Sequence, residues 1–166
     1  RGLNFSSKKI SYNADCQQVQ GGDSLDTLPI LKCWPEDGGR FITMGLTITE
    51  SPINKKRNMG MYRLQKFNDK TLGMHWHPHK GGAAHYHESL SLGSSLPVSI
   101  VLGGDPGLIF SSIAPLPENI DEVLFSAFLK NRKINLVKSK FSEIMVPANA
   151  EFIIEGKVPL NKTKLE

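Results

Sequence analysis

All five histidines of the chain lie between His75 and His87, and three of them recur at every second position: His75, His77 and His79. In a β-strand, successive side chains point to opposite faces. This spacing therefore predicts a strand that carries three imidazoles on one face and apolar side chains on the other.

A second strand is predicted just before the histidines, over residues 59–67, and a turn signal at 68–70 separates the two. Two strands joined by such a turn form a β-hairpin. Arg63 and Gln65 share one face of the first strand, and Asn58 lies just before it. The predicted hairpin gathers arginine, lysine, histidine and asparagine side chains, a set suited to binding a phosphate and a metal ion.

Further strands outnumber helices along the chain. Clean alternation predicts a half-buried strand over 41–49. Asp105 and Pro106 predict a helix start after a glycine turn. Residues 81–88 form either a loop or a helix start. The remaining predictions are a short strand or arm in 1–15, a strand entering a tight loop in 28–39, a loop over 90–95, strands over 98–102, 134–140 and 151–158, and a helix over 120–130. The fold class is mainly β with a few helices (α+β), arranged as a barrel or a sandwich.

The helix over 120–130 carries apolar residues on two sides, which predicts packing on both sides. Glu122 lies between these strips and is expected to be partly enclosed. An enclosed carboxylate needs a partner, and a metal ion or an arginine serves. A solvated surface glutamate is the alternative.

Composition limits the function classes. A length of 166 residues with 39% hydrophobic residues fits one domain over 1–166. The net charge of +4 comes from scattered lysines and arginines, which favours an anionic ligand over nucleic acid. Cys16 and Cys33 show no metal-binding spacing and are predicted to be reduced thiols of a cytoplasmic protein. We found no apolar run long enough to span a membrane. The start at Arg1 and the charged tail over 161–166 suggest a piece of a longer protein.

The histidine stripe alone allows a transition-metal site, as in cupins, which use an HxH pair with a nearby glutamate and a later histidine. Here Glu88 follows His87 at once, and no histidine comes later. A cupin-like metal enzyme and a purely structural set of surface histidines both stay open.

Five segments, in order, carry a more specific resemblance: LPILKCWPEDGGRFITMGLTIT, NMGMYRLQKF, GMHWHPHKGGA, PVSIVLGGDP and VPANAEFIIEG. From about Asp15 to Gly156 the chain resembles the central domain of the UbiD family of prenylated-FMN-dependent decarboxylases. The resemblance implies a split β-barrel of the flavin-reductase kind. It also implies non-oxidative removal of CO2 from an aromatic or unsaturated acid, of the 4-hydroxybenzoate type used in quinone biosynthesis, with the modified flavin as electron sink.

The resemblance also implies roles for individual residues. Asn58, His79 and Glu122 would bind a divalent metal, usually manganese, that bridges to the flavin phosphate, and a potassium ion is a further expected cofactor. Arg63 would join the charged network around the substrate carboxylate and is the predicted catalytic residue. The residues expected to contact prenylated FMN are Met61, Tyr62, Arg63, His75, Trp76, His77, Lys80 and Gly81.

In this family the proton-donating carboxylic acid lies downstream of a GDHTGYY-like motif, which this chain lacks. We therefore expect a cofactor-binding domain that is inactive alone, within a longer homo-oligomeric enzyme for a small aromatic acid. No nucleic-acid partner and no membrane span are expected, although peripheral membrane association and self-association through uncovered apolar surface are compatible with the sequence. A noncatalytic flavin-binding module is the other alternative.

Overall fold

The computed structural model describes residues 8–10, 14–21, 24–117 and 120–160. Its strands are β1 (Lys8–Ile10), β2 (Arg40–Ile42), β3 (Leu46–Glu50), β4 (Arg57–Met61), β5 (Leu64–Lys66), β6 (Leu72–Met74), β7 (Leu96–Leu102), β8 (Ile134–Lys138), β9 (Met145–Pro147) and β10 (Phe152–Val158). Its helices are α1 (Gly81–Ser91), α2 (Pro106–Ile113) and α3 (Glu122–Lys130), with short 3₁₀ turns at Asp15–Gln17 and Leu25–Thr27. The predicted class, mainly β with a few helices, is confirmed.

Three sheets organise the described part of the chain. The largest has the strand order β10-β7-β3-β4 and is antiparallel throughout. The second, β1-β8-β9, pairs β1 parallel to β8, and the third, β2-β5-β6, is antiparallel. Over these residues the sheets do not close into a barrel, so the split-barrel fold stays a prediction.

Strand β3 lies at the centre of the core. Ile48 is fully buried in a cluster that includes side chains of α2 and α3. Thr47 and Thr49, on the other face, are also fully buried, and Thr49 contacts α1. The prediction of one half-buried strand over 41–49 is therefore wrong. The segment forms two strands, β2 and β3, separated at 43–45, and β3 is covered on both faces.

The predicted hairpin exists as β5 and β6, with the Phe67 N–H donating to the Thr71 carbonyl at 3.0 Å across the turn. The predicted first strand over 59–67 is instead two strands, β4 and β5, in two different sheets. The prediction that His75, His77 and His79 lie on a strand is wrong. Strand β6 ends at Met74, and a turn at 77–80, which contains Pro78, leads directly into α1.

Residues 81–88, predicted as either a loop or a helix start, are helical and belong to α1. The helix continues through Ser91, into the loop predicted over 90–95. At the start of α2, Asp105 accepts the Gly107 N–H at 2.8 Å and Pro106 is the first helical residue, which confirms the predicted cap. Helix α3 also lies within its predicted range. The predicted strand over 28–39 is reduced to one bridge, Leu31 to Phe41.

The predicted packing of α3 on two sides is found in part among the described residues. Val123 and Ala127 are buried in the core, and Phe125 of the second apolar strip is half-buried, with its ring 6.4 Å from that of Phe110 on α2. Phe128 and Leu129 are 58% and 47% exposed, and self-association through uncovered apolar surface stays a prediction. The predicted strands over 98–102, 134–140 and 151–158 are confirmed as β7, β8 and β10.

Two findings concern the remaining predictions. Cys16 and Cys33 are both free thiols. Within the described ranges, every helix is too short or too polar to cross a bilayer. Of the predicted strand or arm in 1–15, the structure describes β1 and the start of the turn at Asp15–Gln17. The other predicted features of this segment and the charged tail lie outside the described residues.

The position of β3 leads to a stability prediction. Ile48→Ala removes a fully buried side chain between covered faces and should lower the free energy of unfolding by about 2–5 kcal/mol, measured by urea denaturation. Ile53→Ala is the matched control, because Ile53 is 63% exposed. Equal losses in both variants would contradict the central position of β3.

Candidate functional site

The candidate site lies where β4 meets the first turns of α1 and α3. Asn58, on β4, donates from its amide nitrogen to the Tyr62 hydroxyl at 3.3 Å. Its amide oxygen faces Gly81, the first residue of α1, so closely that a Cβ added to Gly81 would lie 2.1 Å from it. The lack of a side chain at Gly81 therefore allows the Asn58 amide to reach the start of the helix.

Two aromatic side chains line the same corner. The Tyr62 ring is 7% exposed, and its hydroxyl also accepts the Gly82 N–H at 3.4 Å. The Trp76 ring meets Tyr62 edge to face at 6.2 Å and packs on Tyr86 at 5.9 Å. The Trp76 indole N–H is buried without a hydrogen-bond partner. Burial of such a donor is costly, so it marks a place for an acceptor.

The first turn of α1 is suited to an anion. Lys80 precedes the helix in an extended conformation and its side chain does not cap the helix, while the Gly82 N–H makes only the 3.4 Å contact with the Tyr62 hydroxyl. The orphan N–H groups at the start of a helix carry partial positive charge and bind anions. Gly81 and Gly82 present this backbone without side chains, and the Lys80 side chain is exposed beside it.

Glu122, the first residue of α3, lies against β4. One of its carboxylate oxygens accepts the Met59 N–H at 3.2 Å, one residue along the strand from Asn58. Burial raises the pKa of Glu122, and nearby Asp121 adds to the rise, while hydrogen bonds from the Glu122 and Met59 backbone and the charge of Arg57 oppose it. The predicted enclosure of Glu122 is confirmed, and the structure brings it beside Asn58.

The other predicted site residues lie at the end of β4 and on the connections around Tyr62 and Trp76. Met61 ends β4 and is half-buried against the core. Arg63 is exposed, with its guanidinium 5.1 Å from the centre of the Phe41 ring. His75 and His77 are exposed, and their rings lie 5.1 Å apart.

His79 is exposed in the turn before α1. Across the part of the chain that the structure describes, no three side chains from histidine, cysteine, aspartate and glutamate are grouped to hold a metal ion. Asparagine is not one of these four residue types, so their arrangement does not test a site formed by the Asn58 amide and the Glu122 carboxylate.

His85 and His87 lie on α1, not on a strand, so they do not form the strand-borne HxH pair of a cupin. His85 is buried and its Nδ1 lies 2.9 Å from the Thr49 hydroxyl. Thr49 pairs with Asn58 in the β3–β4 ladder, so His85 packs behind the candidate site. Neither the alternating histidines nor the HxH pair predicted this packing role for His85. The small residues Gly82 and Ser89, on the same helical face, are the signal that indicates it.

The burial of His85 leads to a pH prediction. Burial lowers the pKa of His85, and nearby Glu88 partly opposes this. The unfolded chain binds a proton there near the ordinary pKa of about 6.5, so stability falls as the pH drops below that value. His85→Gln should therefore lose part of the decline in unfolding free energy between about pH 7 and pH 5.

The measurement is urea denaturation at stepped pH. His87→Gln, at an exposed position on the same helix, is the control and should keep the wild-type decline. Identical pH profiles for His85→Gln and the wild-type chain would contradict the prediction.

Comparison with known proteins adds independent evidence. Residues 8–166 match the UbiD family, described as "3-octaprenyl-4-hydroxybenzoate carboxy-lyase Rift-related domain". A protein of Archaeoglobus fulgidus is 41% identical over 165 residues, which is 99% of this chain and 34% of that protein. A 4-hydroxybenzoate decarboxylase subunit of Chlamydia pneumoniae is 46% identical over 143 residues, 86% of this chain and 24% of that protein. The chain thus spans only part of the length of these relatives.

Solved structures agree. The UbiD-class enzyme HmfF from Pelotomaculum thermopropionicum in complex with FMN matches with a TM-score of 0.86 and 25% identity, over 93% of this chain and 35% of that one. An evolved dimeric form of HmfF in complex with prenylated FMN matches with a TM-score of 0.80 and 27% identity, over 89% of this chain and 34% of that one. The family match over residues 8–166 and the likeness in sequence and fold lead to one conclusion: the chain belongs to the UbiD family, whose members named among these comparisons include decarboxylases.

Proposed function

We propose that this chain is the cofactor-binding domain of a longer decarboxylase that uses prenylated FMN and a divalent metal ion to remove CO2 from an aromatic or unsaturated acid. One observation carries the proposal: the Glu122 carboxylate accepts the N–H of Met59, the residue next to Asn58 on β4, and the Asn58 amide in turn lies against the glycine-rich start of α1. The flavin complexes of the HmfF structures support it.

The residues fit a hard divalent cation. An amide oxygen from Asn58 and a carboxylate from Glu122 are the donors that manganese and magnesium prefer. Burial of Glu122 disfavours its charged form, and a nearby cation would stabilise that form. His79 lies two residues before Gly81, which contacts Asn58, and is the proposed third ligand.

The residues also fit a flavin phosphate. The first turn of α1 presents backbone N–H groups that a phosphate would satisfy, with Lys80 adding positive charge. The unpartnered Trp76 indole N–H, packed against Gly82, supplies a further donor at the same corner. A divalent metal held by Asn58 and Glu122 would neutralise the charge of the Glu122 carboxylate and of a nearby phosphate.

The remaining predicted residues would position the reactants. Tyr62 and Trp76 form an aromatic wall that would orient the flavin and exclude water, and Met61, His75 and His77 lie on the adjoining strand end and connection. Arg63 would bind the substrate carboxylate, since a guanidinium pairs with a carboxylate through two hydrogen bonds. Prenylated FMN, when bound, supplies the electron sink for the departing CO2. A carboxylic acid from another part of the protein would donate the replacing proton.

The proposed substrate is an acid of the 4-hydroxybenzoate type. The name of the Chlamydia pneumoniae relative supports this class, and quinone biosynthesis is the process that would use it. We also propose that the full-length enzyme is a homo-oligomer.

A binding titration tests the proposed site. The full-length enzyme should bind prenylated FMN in a manganese-dependent way, followed by flavin absorbance, and Asn58→Ala or Glu122→Ala should abolish that dependence because each removes one metal ligand. His87→Ala should bind as the wild type does. Flavin-independent binding of iron that His87→Ala removes would instead favour a cupin-like enzyme. Failure of the full-length protein to bind flavin would overturn the proposal.

A single methyl group tests the geometry. Gly81→Ala places a Cβ against the Asn58 amide oxygen, so it should displace that ligand and weaken manganese-dependent flavin binding by about tenfold or more. Gly156→Ala is the matched control, because nothing lies within 4 Å of its added Cβ. Unchanged binding in Gly81→Ala would show that Asn58 is not held there.

A further inference from the structure

A partly buried ion pair, between a buried Arg57 and a half-buried Asp121, joins β4 to the start of α3. The Arg57 side chain is 5% exposed, and its Nη2 lies 2.6 and 2.5 Å from the two carboxylate oxygens of Asp121. The Nε–H of Arg57 is buried and has no hydrogen-bond partner. Because a buried charge is costly when it is not compensated, the guanidinium depends strongly on Asp121.

Asp121 has a second role in the same place. It is the N-cap of α3, and its Oδ1 accepts the Val123 N–H at 2.8 Å and the Leu124 N–H at 3.2 Å. One carboxylate therefore holds the first turn of the helix and the Arg57 side chain together. The first turn cannot move along β4 without breaking one of these two sets of bonds.

Helix α3 is consequently attached to β4 at two points. Arg57 holds Asp121, and the Met59 N–H holds the Glu122 carboxylate at 3.2 Å. Asn58 lies between these two points on the strand. The two attachments flank the residue that Glu122 must approach if the two side chains are to share a metal ion.

We propose that Arg57 and Asp121 are positioning residues, whose ion pair sets the Glu122 carboxylate beside Asn58 for metal binding. This inference rests on the proposed function. Neither residue contacts the metal in this scheme; each acts through the placement of Glu122. Residues that orient metal ligands in this way commonly change metal affinity by about 10- to 100-fold when they are replaced.

Helix α2 supplies a matched comparison within the same chain. Asp105 caps α2 through the Gly107 N–H and pairs with Lys130 and Arg132, so it combines the same two roles. Its helix contributes none of the proposed metal ligands. Lys130 is the last residue of α3, so Asp105→Asn removes a capped ion pair of similar chemistry at the far end of α3 and leaves the Arg57 and Met59 contacts at its start in place.

The experiment titrates the full-length enzyme with Mn²⁺ in the presence of FMN and follows free manganese by electron paramagnetic resonance, with thermal melting as a second measurement. Asp121→Asn keeps a good capping residue but removes the charge that pairs with Arg57. It should weaken manganese binding by about tenfold. Asp105→Asn should lower the melting temperature to a similar extent but leave manganese affinity unchanged.

The partner residue provides a rescue test. Arg57→Met should match the loss seen in Asp121→Asn, and Arg57→Lys should recover part of it, because lysine keeps a positive charge for Asp121. The double variant Arg57→Met/Asp121→Asn should be no weaker than either single variant, since all remove one interaction.

Four outcomes would overturn the inference. Equal loss of affinity in Asp105→Asn would mean that general destabilisation is the cause. Additive losses in the double variant would mean that Arg57 and Asp121 act separately. Wild-type affinity in Asp121→Asn, with binding lost in Glu122→Gln, would reject the positioning role of Asp121 but leave the proposed metal site standing. Wild-type affinity in Glu122→Gln would reject the proposed metal site itself, and the inference with it.

Discussion

The free edge of β4 is the constraint on which the candidate site depends. Among the residues that the structure describes, this strand is the last of its sheet, and one of its sides has no neighbouring strand there. An unpaired edge exposes backbone hydrogen-bonding groups that need partners. Here the start of α3 provides one such partner, because the Glu122 carboxylate accepts the Met59 N–H. Beside it, Asp121 pairs with the Arg57 side chain. The same contacts that satisfy the edge bring an acidic side chain to Asn58.

Close approach on the other side of Asn58 depends on two glycines. Gly81 and Gly82 open α1, and added Cβ atoms there would meet the Asn58 amide and the Trp76 indole. The uncovered start of this helix, the aromatic pair of Tyr62 and Trp76, and the strand edge therefore converge on one corner. Such a corner offers oxygen donors for a cation and N–H donors for an anion side by side, which is why we propose it as the site of a metal ion and a flavin phosphate.

Local signals in the sequence were sufficient wherever neighbouring residues decide the structure. The Asp105 cap with Pro106, the turn at 68–70 and the amphipathic helix α3 were all correctly predicted, because capping, turn formation and helical periodicity act within a few residues. The histidine spacing was misleading, because a period of two is compatible with a strand but does not require one. Strand β6 ends at Met74, and the segment with Pro78 turns into α1, which begins at Gly81.

By itself, the sequence determined the class of the fold and the family, because five ordered motifs specify a family even when single residues do not; the candidate ligands are a prediction from the same motifs. Only the tertiary structure decided which residues meet. Glu122 follows Met59 by 63 positions, and no local pattern encodes their hydrogen bond. The burial of His85 against Thr49, the cover on both faces of β3 and the break between β4 and β5 likewise arise from packing between distant segments. Such contacts form only when separate elements pack together, and this is why the geometry of the site had to be read from the folded chain.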